Sequence, residues 1–416
     1  ILDDRYAKLD ACGVDNPAIL RSRDKLAELL KAKGIDPPTK ISDQTGKQTW
    51  AFSKQDVEFI RLKADPNVGP LIEAKLAWSS NTAISRCGWL REVAGQPPHT
   101  LPMQLNFSGA HTHRLSGGGG LNMQNLPARG IGSSLRKALI APPGHVICVA
   151  DLSGIELRMN MWFCGQRDML DVIGNGGDVY VEEASRQFRR PKASITKSQR
   201  NYGKVVQLGC GYGLGHRKFR QMAGTGPMGM DPMYLSEPQA QETITNYRTG
   251  VPEVVNTWRW LDTIGLQALA YDHQTVDRNP IRIRKERIEL PNGLSLHYPN
   301  VQITEDGATW GINGRTHYLY GGILLENIIQ ALAGGVLVKQ QMVEIDQRLN
   351  GTGFTRNGHG KGAVVHQVHD EILCVCREKD ADDVLSTMYD VMTTTPAWAK
   401  GLPLAVEGGY DTWYSK

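Results

Sequence analysis

Apolar residues recur at helical spacing in the first part of the chain. In residues 16–34 they alternate with Arg, Lys and Glu every three or four positions, and the pattern stops at a glycine followed by Pro37 and Pro38. It predicts an amphipathic helix with a defined end. A second helical zone is predicted in residues 53–90. We therefore expect a mostly helical first subdomain.

Two short apolar runs later in the chain have the composition of buried strands. The run HVICVADL brings Asp151 to its end, and the helix-forming segment GIELRMNMWF follows it. The run AVVHQVHDEILCVC divides into two strand-like halves around a polar turn that contains Asp370 and Glu371. Both runs therefore present carboxylates at strand ends.

The rest of the chain alternates between loops, helices and a hairpin. Residues 105–130 are rich in Gly, Ser and Asn and predict a surface loop. Residues 178–212 predict helix that is basic on one side, and residues 321–345 predict a long apolar helix. In residues 282–301 two strand-like runs flank the sequence PNG, which indicates a hairpin.

Composition narrows the class of protein. The 416 residues include 47 Lys and Arg against 43 Asp and Glu, and 40% are hydrophobic, which excludes a disordered chain and a coiled coil. No apolar run reaches the roughly 18 residues of a membrane span, so we expect a cytoplasmic protein without a membrane partner. The seven cysteines form no CxxC pair, which predicts reduced thiols rather than structural zinc.

Asp151 and Asp370 indicate a metal site only when they are considered as a pair. Carboxylates presented at strand ends by separate elements bind two Mg²⁺ ions for in-line attack on a phosphate. Taken alone, either aspartate is a common turn or N-cap residue.

Arg200 and Lys204 lie four residues apart on one predicted helix, so both project from one face. That arrangement suits the charge of a triphosphate. The competing interpretation is an exposed basic helix face.

Three segments in this order resemble the signature motifs of the DNA polymerase I family, family A. They are DLSGIELR (residues 151–158), RNYGKVVQLGCGYG (200–213) and VHDE (368–371). Further matches are THRLS (112–116), LNMQNLP (121–127), LPNGLSLHY (290–298) and YGGILLENIIQ (320–330), and the last, with DVYVEEAS (178–185), is similar to the bacteriophage and prophage branch. The resemblance covers roughly residues 106–414.

The resemblance implies an α+β, right-hand polymerase fold, in which the palm is an antiparallel sheet and the fingers and thumb are helical. It places a partial thumb in residues 1–90, palm with the primer/template loop in 91–160, fingers in 161–289 and further palm in 290–416. The match is to a polymerase domain without an exonuclease domain.

The resemblance also implies roles for the catalytic and nucleotide-binding residues. Asp151, Asp370 and the Leu152 carbonyl are expected to bind two Mg²⁺ ions, for which Mn²⁺ can substitute, with Glu371 beside them. Glu156 is expected to exclude a ribose 2′-hydroxyl. The remaining nucleotide contacts expected on the fingers helix are Arg200, Lys204 (also the general acid for pyrophosphate), Leu208 and Tyr212.

The polar residues expected to contact primer or template are Arg114, Asn122, Gln124, Asn125, Arg158, Gln330, Gln367 and His369. Singly, each is also consistent with a satisfied polar group in a loop. The sequence departs from the family pattern at Gly154, at His113 (usually Gly), at Glu326 (Asn in many members) and at Leu208 (Phe or Tyr in many members).

The implied function is template-directed, DNA-dependent DNA synthesis on a primer 3′-OH with release of pyrophosphate, in bacteriophage genome replication within the host cytoplasm. The implied partners are primer-template DNA, deoxynucleoside triphosphates, and replication proteins such as a helicase-primase or processivity factor. A single-subunit RNA polymerase is an alternative, which Glu156 disfavours because a carboxylate gate excludes a ribonucleotide. An inactive nucleic-acid-binding relic is another, which the joint presence of Asp151, Asp370, Arg200 and Lys204 disfavours.

Overall fold

The computed structural model of the chain describes residues 1–42, 45–79, 81–119, 122–127, 131–227, 230–312, 314–351 and 360–415, with the backbone alone at 131 and 132. The helices are α1 (Leu2–Ala11), α2 (Pro17–Arg21), α3 (Arg23–Ala32), α4 (Val57–Arg61), α5 (Gly69–Trp78), α6 (Thr82–Ala94), α7 (Ile155–Cys164), α8 (Arg167–Gly174), α9 (Val179–Phe188), α10 (Lys197–Cys210), α11 (His216–Gly224), α12 (Glu237–Gly250), α13 (Pro252–Trp260), α14 (Leu266–Ala270), α15 (Gly321–Gln330), α16 (Val338–Asn350) and α17 (Ala381–Thr393).

The strands are β1 (Thr39–Ile41), β2 (Gln48–Trp50), β3 (Leu105–Asn106), β4 (Ser116–Gly117), β5 (His145–Leu152), β6 (Val276–Arg278), β7 (Ile281–Arg284), β8 (Arg287–Glu289), β9 (Ser295–His297), β10 (Gln302–Thr304), β11 (Gly307–Ile312), β12 (Arg315–Leu319), β13 (Gly362–Val368), β14 (Glu371–Arg377) and β15 (Val406–Asp411). Short π-helical segments occupy Leu261–Gly265 and Ala331–Leu337.

The chain forms two compact units. The first comprises Ile1–Leu101, Arg129–Gly132 and Gly215–Thr243, and the second comprises Pro102–Ala128, Ser133–Leu214 and Ile244–Lys416. All the residues predicted to bind metal, nucleotide or DNA belong to the second unit. The predicted limits of thumb, palm and fingers remain predictions.

The first unit is mainly helical, as the sequence predicts. Its core contains the fully buried side chains of Leu26, Phe59 and Ile72. The single helix predicted in residues 16–34 is wrong in detail, because the chain breaks into α2 and α3 at Ser22. The Ser22 hydroxyl accepts from the Lys25 amide, so this residue starts a new helix instead of continuing the old one. The short β1–β2 hairpin was not predicted.

The second unit is organised around an antiparallel sheet in the order β13-β14-β5-β15. Strand β5 lies in the interior of the sheet, and its residues Cys148, Val149 and Ala150 are fully buried. This burial explains the continuous apolar sequence of the strand. The predicted strand, its following helix α7 and the predicted β13–β14 hairpin are all confirmed.

The predicted long apolar helix is also confirmed. Helices α15 and α16 continue through the π-helical segment as one helix, Gly321–Asn350. Contrary to the expectation that no apolar run reaches the length of a membrane span, this helix is long and apolar enough to cross a membrane, but 78% of its most apolar window is buried inside the protein. Its hydropathy is therefore accounted for by its place in the core.

The segment predicted to be a surface loop, residues 105–130, is only partly at the surface. Thr112, Met123, Gln124 and Leu126 are buried in the described part of it. The prediction missed this because Gly, Ser and Asn indicate irregular backbone but do not report whether another element covers it. The hairpin predicted in residues 282–301 is confirmed, with β8 and β9 paired antiparallel.

Candidate active site

Asp151 and Asp370 are brought to the same edge of the central sheet. Strand β5 pairs with β14 so that Asp151 faces Glu371 across the ladder. Asp370 belongs to the two-residue turn between β13 and β14, and its carbonyl accepts from the Leu152 amide at 3.1 Å. His369, the other turn residue, has φ 57°, as primed hairpin turns require. The two sequence-predicted aspartates therefore lie on neighbouring segments at the same edge of the sheet.

This donor set fits a hard divalent cation. Mg²⁺ is bound in proteins by one or two carboxylates and is completed by water and by substrate phosphates. Asp151, Asp370 and the Leu152 carbonyl supply oxygen atoms of this kind. Among the described residues no three or more His, Cys, Asp or Glu side chains form a ready-made metal site, so phosphate and water oxygens are needed to complete it.

Glu371 is held in a buried network behind these residues. The residue is 3% exposed, and its Oε1 accepts a hydrogen bond from the Tyr414 hydroxyl. Arg136 places Nη1 3.8 Å from the same oxygen and its Cζ 4.6 Å from the centre of the Tyr414 ring. Burial, followed by the charge of Glu371, raises the pKa of Tyr414, so the tyrosine stays a donor. Sequence reasoning missed Arg136 and Tyr414, because neither belongs to a recognised motif.

A second cluster surrounds Glu156. An Arg114 guanidinium nitrogen, Nη2, forms an ion pair with Glu156 Oε1. Glu326 lies close to both, and burial, followed by the charge of Glu156, raises its pKa. The Gln330 amide donates to Glu326 Oε1 at 3.1 Å. Burial and then the same two carboxylates raise the pKa of Tyr212. The predicted gate, Tyr212 and two predicted DNA-binding residues are thus brought together.

The basic face predicted on α10 is present. The helix begins with a capping box in which the Thr196 hydroxyl and the Gln199 side chain exchange hydrogen bonds with each other's backbone amides. Arg200 Cζ and Lys204 Nζ lie 5.2 and 5.6 Å from the centre of the Tyr180 ring. Both cations therefore project from one face. Leu208, one turn further on, is 38% exposed, so it is not a core residue of the helix.

Two residues of α9 that the sequence did not single out belong to this basic face. Asp178, the N-cap residue of α9, accepts from Arg200 Nε at 2.5 Å, and Tyr180 lies under both cations. The two helices approach closely at Gly203, where a Cβ would lie 2.1 Å from the Tyr180 carbonyl oxygen. Both residues belong to the segment DVYVEEAS (residues 178–185), but only tertiary packing reveals its partner on α10.

Four further residues predicted to contact DNA are two buried glutamines, Gln124 and Gln367, and two less buried asparagines, Asn122 and Asn125. Gln124 Nε2 donates to the Gln367 carbonyl at 3.2 Å, and Gln367 Nε2 donates to the His369 carbonyl. These buried glutamines support the turn that contains Asp370. Asn122 accepts from the Gln124 amide at 3.0 Å, whereas Asn125 is exposed.

Arg158 has a different set of partners. Its Nε donates to the Ser153 carbonyl at 2.6 Å and its Nη1 to the Pro403 carbonyl at 3.2 Å. Burial lowers its pKa, and Tyr180 and Glu407 act in the opposite direction. These bonds brace the turn between β5 and α7, so a contact of Arg158 with DNA remains a prediction.

Comparison with known proteins agrees with these features. The profile of DNA polymerase family A matches residues 11–277. The DNA polymerase of Bacillus phage SP02 is 30% identical over 307 residues, which are 68% of this chain and 43% of the phage protein. Thermostable DNA polymerase I of Thermus aquaticus is 24% identical over 405 residues, which are 96% of this chain and 42% of that protein. The chain thus spans less than half of these relatives.

The fold agrees as well. The polymerase domain of Pol1 from M. smegmatis, solved with DNA primer-template and dNTP, superposes with a TM-score of 0.69 at 20% identity, covering 99% of this chain and 64% of that one. This likeness shows the α+β right-hand fold that the motifs imply. Together with the family profile and the phage relative, it leads to one conclusion: the chain belongs to DNA polymerase family A.

Proposed function

We propose that this chain extends a DNA primer on a DNA template, taking deoxynucleotides from their triphosphates and releasing pyrophosphate. The observation that supports this most directly is that Asp151 and Asp370 lie at the same edge of the sheet. A 3.1 Å hydrogen bond from the Leu152 amide to the Asp370 carbonyl holds the two segments together. The basic face of α10 supplies the complementary positive charge for a triphosphate.

Members of this family generally depend on divalent metal ions, and the oxygen donors described above suit Mg²⁺, with Mn²⁺ as a substitute. When bound, two such ions lower the pKa of the primer 3′-hydroxyl and neutralise charge on the pyrophosphate. In this proposal Asp151, Asp370 and the Leu152 carbonyl hold the ions. Glu371 stabilises the strand that positions them.

The α10 residues act on the triphosphate. Arg200 exchanges the Asp178 carboxylate for phosphate oxygens, and Lys204 donates a proton to the departing pyrophosphate. Both cations remain over Tyr180, which supports their aliphatic stems. Leu208, one turn beyond, faces the sugar, and Tyr212 lies near the templating base.

The cluster around Glu156 sets sugar choice and the position of the primer end. The Glu156 carboxylate fills the volume of a ribose 2′-hydroxyl and leaves such a hydroxyl without a partner. Gln330, Gln367 and His369 contact the duplex near the primer terminus. Arg114, Asn122, Gln124, Asn125 and Arg158 contact or support primer and template through groups that do not specify sequence.

The phage relative supports a role in phage replication, and the domain limits are proposed from the family motifs. We assign residues 1–90 to a partial thumb, 161–289 to fingers, and 91–160 with 290–416 to the palm. The protein then acts in bacteriophage genome replication in the host cytoplasm, beside proteins such as a helicase-primase or a processivity factor.

Primer extension on a labelled template tests the proposal. Asp151→Asn and Asp370→Asn keep the side-chain size and remove a charge, so extension with Mg²⁺ should fall by several orders of magnitude while primer binding survives. Asp411→Asn is the matched control, because Asp411 pairs with Ile147 at the other end of the same sheet.

The outcomes separate the alternatives. Near-normal turnover in either active-site variant contradicts the two-metal assignment. Wild-type extension with ribonucleotides in preference to deoxynucleotides identifies an RNA polymerase, and DNA binding without any extension identifies an inactive relic.

A further inference from the structure

His113 has a backbone conformation that favours glycine. Its φ is 59°, in the left-handed region, where a residue with a Cβ is strained. The family pattern usually has Gly at this position. The histidine is held in this conformation by a hydrogen bond, since His113 Nε2 lies 2.8 Å from the backbone carbonyl oxygen of Ser295.

His111 makes the same kind of contact two residues earlier. Its Nε2 lies 2.9 Å from the His297 carbonyl oxygen. Ser295 and His297 both belong to β9, the edge strand of the sheet β6-β7-β8-β9, and residues two apart on a strand face the same way. Because a carbonyl oxygen can only accept, each imidazole donates from Nε2. The two histidines therefore cover a strand edge together.

The His111 ring also packs against two aromatic rings. Its centre lies 5.0 Å from that of Tyr298 and 5.1 Å from that of Trp310. The Tyr298 hydroxyl is itself bound by the Asn327 side chain at 3.0 Å. Burial lowers the pKa of His111, so the ring stays neutral with its single proton on Nε2.

The opposite side of the same loop rests on two glycines of the long core helix. A Cβ at Gly335 would lie 2.6 Å from the Thr112 carbonyl oxygen, and a Cβ at Gly334 would lie 2.7 Å from Arg114 Nε. A Cβ at Gly335 would therefore collide with the loop backbone, and one at Gly334 with the Arg114 side chain. The loop is therefore held between the edge of β9 and this bare surface of the helix.

Arg114 is the next residue after His113, and its guanidinium forms the ion pair with Glu156. We propose that His111 and His113 are positioning residues that hold Arg114 against Glu156 and so set the discrimination between deoxyribose and ribose. This inference rests on the proposed function, because it assigns Glu156 as the gate. The histidines touch neither substrate nor metal and act through Arg114.

Substitutions at His113 separate the hydrogen bond from the backbone. His113→Gly accepts the left-handed conformation without strain but has no donor. His113→Asn also tolerates that conformation, but its amide nitrogen mimics Nδ1 rather than Nε2. His113→Gln places an amide nitrogen where Nε2 lies and is the rescue variant. Thermal unfolding of each variant verifies that it is folded.

Single-nucleotide incorporation with the full chain is the measurement, with kcat and KM determined separately for a deoxynucleotide and its ribonucleotide. His113→Gly and His113→Asn should raise the ribo-to-deoxy ratio of kcat/KM on the order of 2- to 10-fold, the effect of one neutral hydrogen bond. His113→Gln should stay near wild type. An unchanged ratio in the Gly variant, or an equal rise in all three variants, overturns the proposal.

A second experiment tests whether His113 acts through Glu156. In the double variant Glu156→Ala/His113→Gly, the ribo-to-deoxy ratio of kcat/KM should equal that of Glu156→Ala alone. The effects of substitutions that act through one contact do not add. A further rise of the same size shows that the loop acts independently of Glu156 and overturns the assignment. If the wild type incorporates no deoxynucleotide at all, the proposed function itself fails, a result distinct from an unchanged ratio.

Discussion

Asp178 uses its two carboxylate oxygens for two different helices. One oxygen, Oδ2, accepts from Arg200 Nε on α10 at 2.5 Å. The other, Oδ1, accepts from the Tyr180 and Val181 amides at 2.9 and 3.2 Å and so caps α9. The ion pair is partly exposed, with side-chain exposures of 41% for Arg200 and 35% for Asp178. Pairs of this kind contribute only about 0–1 kcal/mol, so a triphosphate can replace the carboxylate.

Asp178→Asn should therefore tighten nucleotide binding. The asparagine keeps an oxygen for the helix cap but removes the charge that competes with phosphate, so KM for a deoxynucleotide should fall by roughly 2- to 5-fold, equivalent to at most about 1 kcal/mol. Steady-state single-nucleotide incorporation measures it. Asp178→Ala is the control, because it also loses the cap and about 1 kcal/mol of stability. A higher KM in the asparagine variant would mean that Asp178 positions Arg200 instead of competing for it.

Glu156→Ala should relax sugar discrimination. Removing the carboxylate opens volume for a 2′-hydroxyl, so the ribo-to-deoxy ratio should rise even though activity also falls, since Arg114 loses its partner. Glu156→Gln is the matched variant, because it keeps the volume and removes only the charge. A steric gate predicts that Gln retains most of the discrimination, because its side-chain oxygen fills the same volume and still accepts a hydrogen bond from Arg114. If neither variant changes the ratio of incorporation rates, Glu156 is not the gate.

Leu208 should make the enzyme discriminate against dideoxynucleotides. In the family a Tyr hydroxyl here substitutes for the missing 3′-hydroxyl, and Leu has no such group. Leu208→Tyr should reduce discrimination by roughly 1–3 kcal/mol, the range of one or two hydrogen bonds. Leu208→Phe supplies the ring without the hydroxyl and should leave the discrimination against dideoxynucleotides unchanged. Because Leu208 is 38% exposed, overpacking is not expected. Equal slowing of deoxy and dideoxy incorporation would remove Leu208 from the sugar site.

His366 should make the fold sensitive to acid. Burial lowers its pKa to about 4, and neither ring nitrogen has a hydrogen-bond partner in the part of the chain that the structure describes. The unfolded chain has a histidine pKa of about 6.5. The unfolded state therefore binds the proton first, and the free energy of unfolding falls as pH drops from about 6.5 to 4, by at most roughly 3 kcal/mol.

His366→Phe should remove the part of the acid-induced loss of stability that is due to His366. Urea unfolding at pH 7 and pH 4.5 gives the free energy of unfolding that each protein loses between the two pH values. The wild-type loss minus the variant loss is the contribution of His366, because a packing effect that does not depend on pH cancels. His273→Gln is the control, because His273 is exposed. An equal loss in wild type and His366→Phe would show that other groups account for the acid sensitivity.

The sequence by itself determined the local elements and the order of the motifs. Strand β5 and the β13–β14 hairpin were readable because burial on both faces leaves an apolar run, and a polar turn interrupts it. The common face of Arg200 and Lys204 follows from helical periodicity alone. Their ring partner Tyr180 was not predictable from that periodicity, because it belongs to another helix.

Only the tertiary structure decided which side chains meet. Arg114 and Glu156, His113 and Ser295, and Tyr414 and Glu371 are far apart in sequence, so no local preference brings them together. Close packing at Gly334 and Gly335 shapes the segment that carries His113 and Arg114, and Gly203 lets α10 approach α9, since a Cβ at any of the three would collide with a neighbouring residue. From the sequence alone, these glycines are residues of low helix propensity. Only the tertiary structure shows which neighbouring residue occupies the space that their missing side chains leave.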